Sequence, residues 1–179
     1  SVAIVGLGGV GLSALLASIA IGSKKTIAID LSDEKLALAK ELGANHTLNP
    51  KDENFLETFL DITSGGANIA VETAGSGHAL KTAYDITRRG GTTVAAGMPG
   101  PKVEITLSHL SIAAEERVIK GSYMGSCIAQ RDIPKYLDMF QTGKLPVDRL
   151  LSRKIKFEDL NEAMDRLDDA KTVREVLIP

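Results

Sequence analysis

Ser1-Val2-Ala3-Ile4-Val5-Gly6-Leu7-Gly8-Gly9-Val10-Gly11 opens with a short apolar run that breaks into glycines. The residues after it, Gly9–Ile21, place Val10, Leu12, Leu15, Leu16, Ile19 and Ala20 over most of a helix surface. Such a helix packs against a sheet. The spacing Gly6, Gly8, Gly11 is G-x-G-x-x-G, between a predicted strand and a predicted helix. Gly6 permits the tight turn out of the strand. Gly8, with Gly9 and Val10 beside it, lets a pyrophosphate approach the backbone, and Gly11 lets the helix lie close to the sheet. The helix N-terminus adds free N–H groups and about half a positive charge.

A glycine turn alone is a weak signal. Its context strengthens it, because a second strand, Thr26–Ile29, ends in Asp30 at the distance the dinucleotide fingerprint requires. An acidic residue there accepts hydrogen bonds from ribose hydroxyls. It also opposes a 2′-phosphate, since like charges ~4 Å apart repel by roughly 4 kcal/mol at an effective dielectric of 20. Leu31 follows, so no arginine is adjacent to welcome that phosphate. The expected cofactor is NAD(H) rather than NADP(H).

The alternation continues outward from this unit. Helical patterns are predicted at Asp33–Leu42, Glu53–Ile62 and Gly77–Thr87, and strands at Asn45–Leu48, Ala67–Val71 and Thr92–Ala96. The strands are near-continuously apolar, as in a parallel sheet covered on both faces. The fold class is α/β, a doubly wound parallel sheet of the Rossmann type. Past Gly97 a helix is predicted at Ser108–Glu115 and a sixth strand at Arg117–Met124. Beyond Gly125 the rhythm changes to helix Ile133–Gln141, strand Leu150–Phe157, helix Glu158–Leu167 and strand Thr172–Ile178. We therefore divide the chain into a dinucleotide-binding domain, 1–125, and a C-terminal α+β segment, 126–179.

Composition narrows the partners. Twenty-one Lys and Arg face 23 Asp and Glu, giving a net charge of −2 and no basic face of the kind nucleic acid requires. The longest apolar stretch, Val10–Ile21, is too short for a membrane span of ~20 residues. A single cysteine, Cys127, excludes an intrachain disulfide and points to a reducing compartment, so a cytoplasmic location is expected.

No catalytic or metal-binding set is predicted. His46, His78 and His109 are scattered and none pairs with Cys127 at metal-ligand spacing, so each reads as a loop or surface residue. Cys127 lacks a candidate base and reads as a buried or incidental thiol. The acidic run Asp165–Asp169 reads as a solvated helix end. Methyltransferases carry an acidic residue just before the glycine loop, where this chain has Ala3-Ile4-Val5. Short-chain dehydrogenases carry Tyr-x-x-x-Lys, but Tyr84, Tyr123 and Tyr136 are followed by Arg88, Cys127 and Phe140. A cofactor site without chemistry beside it also suits a nucleotide-sensing regulatory module, or a piece that keeps the fold and has lost the cofactor.

Further stretches carry a resemblance. They are Asp30 with Lys35, Leu42-Gly43-Ala44, Glu72-Thr73-Ala74-Gly75, Ala96-Gly97-Met98, and Lys120-Gly121-Ser122-Tyr123-Met124-Gly125. Together with the glycine loop, the chain resembles the cofactor-binding half of the zinc-dependent medium-chain alcohol dehydrogenases, closest to the branch containing class III-like bacterial enzymes. The resemblance implies that Lys35 reaches the adenosine ribose and that Ala74 and Gly75 line the cofactor cleft. It further implies that backbone around Ala96, Gly97, Met98, Ser122 and Met124 holds the nicotinamide carboxamide, and that Arg174 contacts the pyrophosphate. In that family zinc polarises the alcohol oxygen while hydride passes to the nicotinamide. Its zinc ligands lie in a domain ahead of the glycine loop, so this chain alone is expected to be inactive. The family also implies an alcohol or aldehyde substrate, a homodimer paired near Arg117–Met124, and a C-terminal segment that packs back on the catalytic domain.

Overall fold

A computed structural model describes residues 1–168 and 172–179. Strands β1 (Val2–Val5), β2 (Thr26–Ile29), β3 (His46–Leu48), β4 (Ala67–Glu72), β5 (Thr87–Ala95) and β6 (Val118–Gly121) form one sheet in the order β3-β2-β1-β4-β5-β6. Every neighbouring pair is parallel. Crossovers are made by α1 (Gly9–Ala20), α2 (Asp33–Glu41), α3 (Phe55–Thr63), α4 (Gly77–Asp85) and α5 (His109–Glu115). The order reverses between β1 and β4, where open α/β sheets bind ligands.

The apolar strands serve two cores. Ile4 and Ala28 join Leu12, Leu15 and Leu36 on one face, while Ala3, Val5, Ile27 and Ile29 join Phe59, Ala83 and Ile86 on the other. Because strand side chains alternate between faces, burial on both sides removes the polar alternation. The first core extends into the C-terminal segment through Leu145 and Leu150, which pack with Leu12, Leu15 and Leu16 of α1.

Several boundaries differ from expectation. Helix α4 stops at Asp85 and β5 begins at Thr87, whose buried hydroxyl bonds Ala83 O at 2.7 Å and Thr93 Oγ1 at 2.8 Å. Thr87 pairs with Ala67 and Thr92 with Ile69, so residues 88–91 stand opposite Asn68 alone. Strand β6 is shorter than Arg117–Met124. Its last ladder contact is Ser122 N–H to Ala95 O at 2.9 Å, after which Met124, Gly125 and Ser126 all take positive φ and turn the chain away.

The tail is less regular than its pattern suggests. Helix α6 (Ala129–Gln141) starts before Ile133 because the Asp132 carboxylate accepts the Ile128 N–H at 2.9 Å. Short 3-10 turns occupy Val147–Leu150 and Phe157–Asp159. They bound β7 (Arg153–Ile155) on both sides; it pairs in parallel with β8 (Glu175–Leu177), with α7 (Leu160–Asp168) between them in the chain. Asp165 is exposed on α7, as the solvated-end reading expects, whereas Asp169 lies outside the described residues.

Two carboxyl groups of this tail sit below their ordinary range. Hydrogen bonds from Arg131 and from the Ile128 N–H lower Asp132, and hydrogen bonds from Arg166 lower Glu175. A carboxyl depressed on folding stabilises the fold above its unfolded value of about 4 and loses that contribution as pH falls through the folded one. The melting temperature is therefore expected to fall below about pH 5, with D132N/E175Q flattening the acid limb. An acid limb equally steep in the double variant would contradict these assignments.

Candidate functional site

The glycine turn leaves β1 at Gly6, whose φ of +94° is one that L side chains rarely adopt. A Cβ there would also lie 2.8 Å from Ala74 Cβ and N. The tightest approach is at Gly11, where a Cβ would meet the Gly6 carbonyl oxygen at 1.8 Å. Helix α1 thus lies directly on the turn. Thr73, at the end of β4, holds the same turn from the other side by donating its hydroxyl to Gly6 O at 2.7 Å.

Gly8 is different. It caps α1 in extended conformation, and a Cβ on it would meet nothing within 4 Å. Space for a ligand therefore opens directly over the first turn of α1, which carries no acidic residue and presents uncapped N–H groups. Val10, in that turn, is 57% exposed. Over Gly9 lies the guanidinium of Arg174, with Nη2 3.0 Å from where a Cβ would be. Arg174 reaches the turn from the far end of the sequence.

Asp30 ends β2 beside this turn, and its carboxylate is already engaged. Oδ2 accepts the Leu7 N–H at 2.6 Å and Oδ1 accepts the Ser32 N–H at 2.9 Å. Each oxygen keeps a further lone pair for a hydroxyl donor. Lys35 stands in the first turn of α2, its backbone N–H capped by Ser32 Oγ at 3.4 Å. Next to Asp30 a cavity of about 210 Å³ opens between Leu31, Pro50 and the start of α4, lined also by Ser76, His78 and Thr82.

The remaining predicted residues continue along the C-terminal ends of the strands. Gly75 abuts Met98 O, where a Cβ would lie 2.7 Å away, and its N–H donates to Glu72 Oε1 at 2.6 Å. Glu72 is 2% exposed, and its carbonyl receives the N–H groups of both Ala96 and Gly97. Met98 is 70% exposed above them. Ser122 is tied to Ala95, while Met124, 77% exposed, stands beyond the edge of the sheet. From β2 to β6 these positions span four strand spacings, about 19 Å at ~4.8 Å each.

Five contributors escaped the sequence reading. Glu72 and Thr73 were read only as part of a motif, yet Glu72 braces the loops after β4 and β5, and Thr73 braces the glycine turn after β1. Pro50, His78 and Thr82 wall the cavity from separate elements. His78 is indeed exposed, but in the first turn of α4 and facing this cavity rather than in a loop. Cys127 is exposed, contrary to a buried thiol. Among the described residues no three His, Cys, Asp or Glu side chains are grouped to hold a metal ion. None of their helices is long and apolar enough to cross a membrane.

Residues 9–142 match the family model described as zinc-binding dehydrogenase. The chain is 35% identical to geraniol dehydrogenase of Castellaniella defragrans over 99% of its own length and 48% of that protein. It is 33% identical to alcohol dehydrogenase class-2 isozyme 2 of Oryctolagus cuniculus, covering 98% and 47%. Among solved structures, an alcohol dehydrogenase zinc-binding domain protein from Burkholderia ambifaria superposes with a TM-score of 0.95 at 30% identity, over 100% of this chain and 48% of that one. Benzyl alcohol dehydrogenase from Acinetobacter calcoaceticus gives 0.94 at 32%, over 99% and 49%. The chain spans about half the length of the curated relatives it matches. On its six-stranded parallel sheet, its glycine turn and these matches, the chain belongs to the zinc-binding dehydrogenase family.

Proposed function

We propose that this chain is the NAD(H)-binding half of a zinc-dependent alcohol dehydrogenase, acting in the cytoplasm on an alcohol and its aldehyde or ketone. One observation carries the reading. The open face over Gly8, the two-oxygen acceptor Asp30 and the Arg174 guanidinium converge at the switch between β1 and β4. A pyrophosphate would rest on the open face over Gly8, in reach of the first turn of α1 and of Arg174, whose fork of donors suits phosphate. Asp30 and Lys35 would take the adenosine ribose, and the cavity by Pro50 and His78 the adenine. Ala74 and Gly75 would line the middle of the cleft. The nicotinamide would lie over Ala96, Gly97 and Met98 towards Ser122 and Met124. When bound, the cofactor supplies the hydride acceptor or donor.

The described residues do not offer a zinc-ligand set, so the metal and the substrate pocket would come from residues outside this chain. Residues 126–179 would form the segment that packs on them. Among the described residues no strand pairs the outer edge of β6, and all four of its residues are exposed, which is where a second copy would add its own strand.

Titration with NADH and NADPH, followed by nucleotide fluorescence, tests the cofactor. NADH is expected to bind at least about tenfold more tightly, because the 2′-phosphate would face Asp30. Tighter NADPH binding would overturn the role of Asp30. A melting temperature unmoved by millimolar NADH would favour a fold that has lost its cofactor.

A further inference from the structure

The feature that places Arg174 is not in the cleft. Glu175, its neighbour, sends its carboxylate to α7, where Arg166 grips it through two hydrogen bonds, Nε to Oε1 at 2.9 Å and Nη2 to Oε2 at 2.8 Å. The pair is shielded, with the Glu175 side chain 2% accessible and that of Arg166 22%. On the other side of Arg174, Ser152 closes a backbone clasp. Its N–H donates to Arg174 O at 2.7 Å, and its hydroxyl accepts the N–H groups of Val173 and Arg174 at 3.0 and 3.3 Å.

These ties matter because the strand that Arg174 leads into is weak. Strands β7 and β8 have three residues each and, among the described residues, pair only with one another. A two-stranded unit of that size is marginal alone. Arginine also has several rotatable bonds, so a mobile backbone beneath it would leave its guanidinium unfixed.

We propose that the Arg166–Glu175 ion pair is a positioning device that fixes β8 against α7 and so holds the Arg174 guanidinium over Gly9, ready for a pyrophosphate. Arg166 and Glu175 touch no ligand; they act through Arg174. The inference rests on the dinucleotide reading above. It adds that affinity for the phosphates depends on a charge pair on the opposite side of the strand from the glycine turn.

Two measurements on the full chain separate this device from the reading it rests on. The first is the order of the Arg174 side-chain Nε–H by nitrogen-15 relaxation in the unliganded chain. The second is affinity for NADH and for adenosine, which lacks phosphates. In Glu175→Gln, Arg174 is expected to become mobile and NADH to bind about fivefold more weakly, with adenosine unchanged within about twofold. Arg174→Ala is expected to weaken NADH about tenfold or more, and E175Q/R174A no further than R174A alone.

Arg174 equally ordered in E175Q would overturn the positioning role whatever NADH does, as would additive losses in the double variant. An ordered Arg174 released by E175Q, in a chain whose NADH affinity ignores R174A, would keep the positioning role and overturn the pyrophosphate reading. If circular dichroism finds E175Q unfolded, Arg166→Lys replaces the fork by a point charge and keeps the test. A looser Arg174 with weaker NADH binding in R166K then supports the proposal, and an unchanged one overturns it.

Discussion

Alanine at Gly11 is expected to lower the melting temperature by roughly 6–12 °C and to abolish NADH binding with it. The added methyl carbon would lie 1.8 Å from the Gly6 carbonyl oxygen. An ordinary carbon–oxygen contact is about 3.3 Å, so α1 must retreat by roughly 1.5 Å. It cannot retreat cheaply. Leu12, Leu15 and Leu16 on that helix are at most 2% exposed and pack against Ile4 and Ala28, so the retreat opens the first core along its length. Overpacking of this kind costs about 3 kcal/mol or more. Thr73 Oγ1, 2.8 Å from the new carbon and bonded to Gly6 O, blocks a sideways escape.

The same substitution at Gly8 is the control that gives this result its meaning. Gly8 has φ −75° and ψ −168°, open to any residue, with no atom near the added carbon. Alanine there restricts the unfolded chain, worth about 0.4–1 kcal/mol, and is a poorer helix cap by a similar amount. The melting temperature is expected to stay within about 2 °C, while NADH affinity falls about tenfold or more as the methyl enters the phosphate space. Calorimetry on both variants with NADH titrations checks the split. A wild-type melt for Gly11→Ala would remove the close approach of α1 as a requirement. Wild-type NADH binding by Gly8→Ala would move the phosphates away from that face.

This contrast also marks what is legible in the sequence. The glycine spacing predicts a turn, a helix and a following acidic residue because each depends on local geometry, and all three stand where the pattern places them. The central strands are equally legible, since burial on both faces leaves an unbroken apolar signature. The tail is not. Strands β7 and β8 are three residues long, and 3-10 turns bound β7 on both sides, so the runs are too short for any period to emerge. Tertiary pairings leave no local trace either. Nothing near Glu72 announces that it will hold the Gly75 N–H, and nothing near Pro50 or His78 announces a shared cavity. Arg174 illustrates both limits. A resemblance suggests its role, but its position depends on Arg166, Glu175 and Ser152, whose partnership only the folded chain reveals.

Asp30 carries the second large effect, because its carboxylate does two jobs. The sequence assigns it to ribose hydroxyls, yet Oδ2 already accepts the N–H of Leu7, a residue with no exposed surface. Asp30→Ala strands that buried donor and frees the Ser32 N–H at the start of α2. An orphaned buried donor costs about 1–3 kcal/mol, and loss of a second charge-assisted bond adds a smaller amount, so about 2–4 kcal/mol is expected. The unliganded chain should then melt roughly 4–16 °C lower. Asp30→Asn should fall between, because its amide offers one acceptor to two N–H donors. Cofactor preference should change independently. Removing the carboxylate takes away the hydroxyl acceptor and the repulsion of a 2′-phosphate together, so the preference for NADH over NADPH should shrink at least about tenfold. Melting without ligand and the ratio of the two affinities separate the roles. An unchanged melt with altered preference would leave Asp30 a ribose ligand alone, and a lowered melt with unchanged preference would leave it only a brace for the glycine turn. The short Leu7–Asp30 contact argues that both change, because the oxygens that would face the ribose are the same ones that fix the loop on which the phosphates would rest.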